Sequence, residues 1–91
     1  MKATVDMYTP GWNFAVIKLE NRAFPGIVFQ GDSTAGIYRD LQSLDRLLAE
    51  GKCDEAREEL GGILEKFNDI LLMYERILSE NGFDLPYTER K

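Results

Sequence analysis

From Asn13 to Leu19 the chain reads NFAVIKL. In an extended strand, alternation puts Phe14 and Val16 on one face and Ala15, Ile17 and Leu19 on the other. Both faces are largely apolar, which is the pattern of a strand covered on both sides. Glu20-Asn21-Arg22 interrupts it, and Ile27 to Gln30 reads as a second short strand. The two runs predict an antiparallel β-hairpin over about 13–19 and 27–30. Pro25 has no N–H for a ladder, so it belongs at the start of its strand or on an edge. Ala3, Val5 and Met7 alternate weakly, which leaves open a third strand within residues 1–9.

After Gly31 the apolar period changes from two to 3.6. Ile37, Leu41, Leu44 and Leu48 predict an amphipathic helix over about 34–50, with Asp32 or Ser33 as its cap and Gly51 as its stop. Ala56, Leu60, Ile63, Phe67, Ile70, Tyr74 and Ile77 then alternate spacings of four and three. They predict a second helix over about 54–81, with Asp54 at its N-cap and Asn81-Gly82 at its end. The short Gly51-Lys52-Cys53 link makes the two helices an antiparallel hairpin. Gly61-Gly62 inside the second helix costs on the order of 1 kcal/mol per glycine. A slack position and close approach of another backbone both stay open there. The expected fold class is α+β, a β-hairpin packed on an antiparallel helix pair, with residues 1–91 forming a single domain. Unequal helix lengths, with Leu72 and Met73 outside the main stripe, favour a homodimer.

Composition narrows the chemistry. The net charge of −5 and the scattered Lys and Arg argue against nucleic-acid binding. With no histidine, the Ser-His-Asp and Cys-His constellations and the commonest zinc ligand are excluded. The lone cysteine, Cys53, excludes an internal disulfide. No apolar run reaches the length of a membrane span, and MKATVDMYTP carries no leader-like apolar core. The expectation is a cytoplasmic chain with no membrane association, no cofactor and no metal site. The carboxylates of the second helix read as a solvated face.

Two candidate sites remain. Gln30, Asp32, Tyr38 and Arg39 could line a ligand pocket between hairpin and helices. Asp32 at a helix start reads first as a cap, and no phosphate-loop or nucleophile-elbow spacing surrounds it. Trp12, Leu72, Met73 and Tyr87 could form an apolar surface for a protein partner. For the tail, Phe83, Leu85 and Tyr87 read first as a clasp over the core.

The segments Phe24-Pro25-Gly26, Val28-Phe29-Gln30-Gly31-Asp32-Ser33, Tyr74-Glu75-Arg76-Ile77-Leu78 and Leu85-Pro86-Tyr87-Thr88 resemble a small bacterial family of unknown function, from about residue 13 to 88. Residues 24–48 are similar to antitoxins of the HicB type, where a PG turn leads through QGD[ST] into a helix. The latter resemblance implies a protein that neutralises a partner by contact. The expected function is a small non-enzymatic protein-interaction module, immunity- or antitoxin-like. The alternative is a small-ligand binder or minor enzyme with a pocket near Asp32.

Overall fold

The computed structural model describes residues 5–8 and 14–90. Its elements are β1 (Val5–Met7), β2 (Phe14–Leu19), β3 (Gly26–Phe29), α1 (Gly31–Ala49) and α2 (Cys53–Glu80). The fold is α+β, with the strands forming an antiparallel sheet in the order β1-β2-β3. The expected two-stranded hairpin is therefore corrected to three strands. Val5 pairs with Leu19 and Met7 with Ile17, so β1 lies on the free side of β2. A two-stranded hairpin is marginal alone, and the third strand relieves that weakness.

The residues group into two compact units, Met1–Phe29 with Leu71–Lys91, and Gln30–Ile70. The sheet unit has its core at Val16, Tyr74, Ile77 and Leu78. Val16 and Leu78 are completely buried. Phe14 and Ile27 pack on this cluster from the sheet, and Phe83, Leu85 and Tyr87 pack on it from the tail. Tyr8 also packs there and meets Phe83 edge to face, with ring centroids 6.1 Å apart. The tail is thus a clasp on the core.

One hydrogen bond joins the two distant stretches of this unit. The Tyr74 hydroxyl donates to the Pro25 carbonyl at 2.6 Å, inside the core. Pro25 is buried and directly precedes β3, so it takes the place at a strand start that its missing N–H requires. Its carbonyl would otherwise be buried far from water, and Tyr74 satisfies it.

In the helical unit α1 and the first part of α2 run antiparallel. The Ser43 hydroxyl donates to Glu59 at 3.1 Å, and Lys66 pairs with Asp40 at 3.5 Å, so position falls along one helix as it rises along the other. Ala56 and Ile63 of α2 are buried. α1 has no buried residue.

The helix ends differ from expectation at the starts and agree at the stops. Gln30, not Asp32 or Ser33, holds the N-cap position of α1, and its extended backbone carries no side-chain cap. The helix begins three residues before the predicted 34. Asp32 falls in its first turn, where its carboxylate accepts the Ser33 backbone N–H at 2.8 Å. It still serves an orphan donor and faces the positive end of the helix dipole. Likewise Asp54 lies inside the first turn of α2, which begins at Cys53.

Both stops are glycines at positive φ, Gly51 at 75° and Gly82 at 76°. Lys52 N–H bonds Leu47 O at 2.9 Å while Gly51 N–H bonds Leu48 O at 3.1 Å. Phe83 N–H bonds Leu78 O at 2.9 Å and Gly82 N–H bonds Ser79 O at 3.3 Å. These are Schellman ends, and Phe83 against Leu78 adds the apolar contact that goes with them.

Two outcomes follow for chemical denaturation. Tyr74→Phe leaves the Pro25 carbonyl unpaired and costs about 1–2 kcal/mol, against about 2–5 kcal/mol for Leu78→Ala. Nothing lies within 4 Å of a Cβ built on Gly61 or Gly62, so no close approach within the chain accounts for this pair. Gly61→Ala and Gly62→Ala each stabilise the protein by about 0.5–1 kcal/mol.

Candidate functional site

The end of α2 and the tail build a polar cluster on the sheet unit. Tyr87 stacks on Tyr74 with ring centroids 6.4 Å apart and an interplanar angle of 21°. Its hydroxyl donates to Glu75 Oε2 at 2.9 Å. Arg90 grips the same carboxylate with both arms, Nε to Oε2 at 2.8 Å and Nη2 to Oε1 at 3.0 Å. The fork geometry of guanidinium on carboxylate makes this the best-formed ion pair described in the chain.

The charges shift accordingly. Arg90 hydrogen bonding holds the Glu75 carboxyl below its ordinary value, against a smaller opposing effect of burial, and the Tyr87 bond adds to the lowering. Burial and the Glu75 hydrogen bond push the Tyr87 phenol up to about 12. Burial alone raises Tyr74.

An open cleft of about 620 Å³ lies beside this cluster, with Glu75, Asp84, Glu89 and Arg90 among its lining residues. Its one guanidinium is already paired with Glu75. A carboxylate covered by several donors and held at low pKa is a poor proton acceptor at neutral pH. Among the described residues no group of His, Cys, Asp and Glu is placed to hold a metal ion. Through these bonds the cluster ties the tail to the end of α2.

The other face of the sheet is different in kind. Register puts Val5, Met7, Ala15, Ile17, Leu19 and Val28 on the side opposite the core residues Val16 and Ile27. Every non-glycine position of that face in the three strands is apolar. Met7 is 56%, Val28 45% and Leu19 38% exposed. Phe24, 41% exposed, extends the surface, and a groove of about 500 Å³ runs over Ile17, Leu19, Phe24 and Val28. Together these residues form one contiguous, partly exposed apolar patch.

The sequence-based candidates are scattered over the molecule. Gln30, Asp32, Tyr38 and Arg39 all lie along the start of α1 with exposed side chains, and neither cleft above includes them. Trp12 lies outside the described residues. Leu72 is 54% exposed. Met73 packs against the core, and its sulfur accepts a hydrogen bond from Arg76. Tyr87 is engaged by Tyr74 and Glu75. Sequence reading missed the pairing of Glu75 with Arg90, since nothing in a spacing of 15 residues announces it. It also did not single out the outer sheet face, although the apolar residues on both sides of NFAVIKL were its signal.

The Glu75 fastening has a pH signature. Its native pKa is lowered, so its contribution is fully present above the ordinary value of 4.5 and is lost as pH falls through the native value. Glu75→Gln lowers the melting temperature near neutral pH and flattens the acid limb of the stability curve below about pH 4.5. Melting curves of both proteins across that range provide the check.

No helix among the described residues is long and apolar enough to cross a membrane. No curated protein and no solved structure matches the chain. Residues 1–87 match a family model described as a family of unknown function (DUF6959), and the chain belongs to that family.

Proposed function

We propose that this protein is a non-enzymatic interaction module that binds a protein partner through the outer face of its sheet. The observation that carries this reading is the uninterrupted apolar face of Val5, Met7, Ala15, Ile17, Leu19 and Val28, of which Met7, Leu19 and Val28 are exposed, on a strongly acidic chain. A sheet facing water on one side ordinarily alternates apolar and polar residues. Here the polar alternates Asp6 and Lys18 stand on the core side of β1 and β2. Apolar residues thus line both faces of the sheet, and a docked partner would bury the outer set.

The groove over Leu19, Phe24 and Val28 suits one or two large apolar side chains of that partner. The polar cluster at Glu75 serves this reading indirectly, by fixing the tail over the core that supports the sheet. A protein that neutralises its target by contact, in the manner of an immunity protein or antitoxin, requires a surface of this kind and no catalytic residues.

The test compares the wild-type chain with Leu19→Lys/Val28→Lys, two changes at exposed positions that leave the core untouched. Wild type should retain a specific partner from extracts of its source cells. The double variant, with unchanged circular dichroism, should lose at least tenfold in affinity for it. Equal retention by both overturns the sheet-face reading. A metabolite that raises the melting temperature, with the shift abolished by Asp32→Ala, overturns the non-enzymatic reading in favour of a ligand site at Gln30, Asp32, Tyr38 and Arg39.

A further inference from the structure

The helical unit presents a second surface, separate from the sheet face and independent of any reading of it. α1 spans 19 residues without burying one. A helix of that length gains little from propensity and depends on packing an apolar face. Ile63 and Ala56 of α2 turn inward, while Tyr38, Leu41, Leu48, Leu60 and Leu64 stay 62%, 47%, 55%, 39% and 61% exposed.

Register places these exposed residues together. Ser43 bonds Glu59, which sets the level of one helix against the other. Two residues further along α1 and two back along α2 bring Asp45 level with Arg57. Five residues the other way bring Tyr38 level with Leu64. Tyr38 and Asp45 are seven apart and share one line of α1; Arg57 and Leu64 are seven apart and share one line of α2. Leu41, Leu48 and Leu60 lie between those two lines. The hairpin therefore carries a leucine seam flanked on the α1 side by Tyr38 and Asp45, and on the α2 side by Leu64 and Arg57.

Asp45 and Arg57 are both exposed. Neither forms an ion pair among the described residues. They stand at the same level on opposite flanks of one apolar face.

We infer that this face pairs with the same face of a second copy, forming an antiparallel four-helix bundle with a two-fold axis parallel to the helices. That axis lays α1 of each copy over α2 of the other. Each Asp45 then meets Arg57 of the partner subunit at the same level, and each Tyr38 meets Leu64 of the partner subunit. Leu41 and Leu60 fill the middle. The other face-to-face two-fold, across the helices, sets α1 on α1 and opposes Asp45 to ring and methyl groups, leaving its charge unanswered. Charge complementarity thus selects one arrangement.

The area is sufficient. The exposed parts of these large side chains amount to on the order of 500 Å² per copy, so the pair buries on the order of 1,000 Å², the scale of a specific interface. Knobs-into-holes packing of two helical hairpins is the ordinary way such a face is covered.

Sedimentation equilibrium of the full chain tests this with a charge-swap cycle. Wild type should be a dimer at tens of micromolar. Arg57→Asp sets like charges opposite each other and should weaken the dimer at least tenfold. Asp45→Arg/Arg57→Asp should restore it to within about threefold. Far-UV circular dichroism of each variant, expected unchanged for exposed substitutions, separates loss of pairing from loss of fold. A monomeric wild type overturns the inference and gives the face to a different protein. A dimer indifferent to Arg57→Asp, or one that the double swap does not restore, also overturns it and places the contact elsewhere. None of these results depends on whether Leu19→Lys/Val28→Lys loses a partner, so the two surfaces stand or fall separately.

Discussion

The buried hydrogen bond from Tyr74 to Pro25 is the constraint around which the sheet unit is arranged. It joins residues 49 apart in sequence, at 2.6 Å, in the middle of the core. Pro25 supplies a carbonyl without an accompanying N–H, so a single donor answers the backbone polarity buried there. Tyr74 brings a large ring together with that donor, which few side chains combine. Around the pair, Val16 and Ile27 close from the sheet and Tyr87 stacks from the tail. Removing the hydroxyl leaves every apolar contact in place and still strands the carbonyl.

Polarity on this unit is distributed in an unusual way. The tail is secured by a carboxylate, a phenol and a guanidinium in a semi-exposed cluster, while the side of the sheet away from the core is apolar throughout. Charge is spent on fastening the chain to itself, and hydrophobic surface is left outward. Glu75 and Arg90 owe their shifts to their mutual hydrogen bonds, which outweigh burial, whereas at Tyr87 burial and the Glu75 bond act together.

Much of the fold was legible in the sequence, for reasons that show where legibility ends. The helices followed from apolar spacing sustained over many turns, and both glycine stops were read correctly because only Gly takes their positive φ at no cost. Helix starts were misplaced by one to three residues. Asp32, Ser33 and Asp54 look like caps, yet they favour the first turn of a helix as well as the position before it. The strand Val5–Met7 gave almost no periodic signal, since three residues with Asp6 in the middle define no pattern until β2 is beside them. The candidate site was harder. Both faces of the Leu19 strand were expected to be covered because both are apolar, and only the register with the exposures showed which face stays partly open. The pairing of Glu75 with Arg90 depends on where the tail returns, which local propensity does not encode.

The division of the chain into units also bears on the order in which it folds. The sheet unit is assembled from two separated stretches, Met1–Phe29 and Leu71–Lys91. Its strands and the end of α2 can meet only after the intervening segment has been brought back on itself. The helical unit between them does this with local contacts, because an antiparallel pair of near-equal helical lengths returns residue 70 to the neighbourhood of residue 30. A loop of some forty residues would cost about 3 kcal/mol in closure entropy if it stayed flexible. Formed first, the hairpin turns that long closure into a short one. The middle of the sequence then serves as a kinetic clip for the ends, and damage to the Gly51 turn would slow formation of a core to which that turn contributes no side chain.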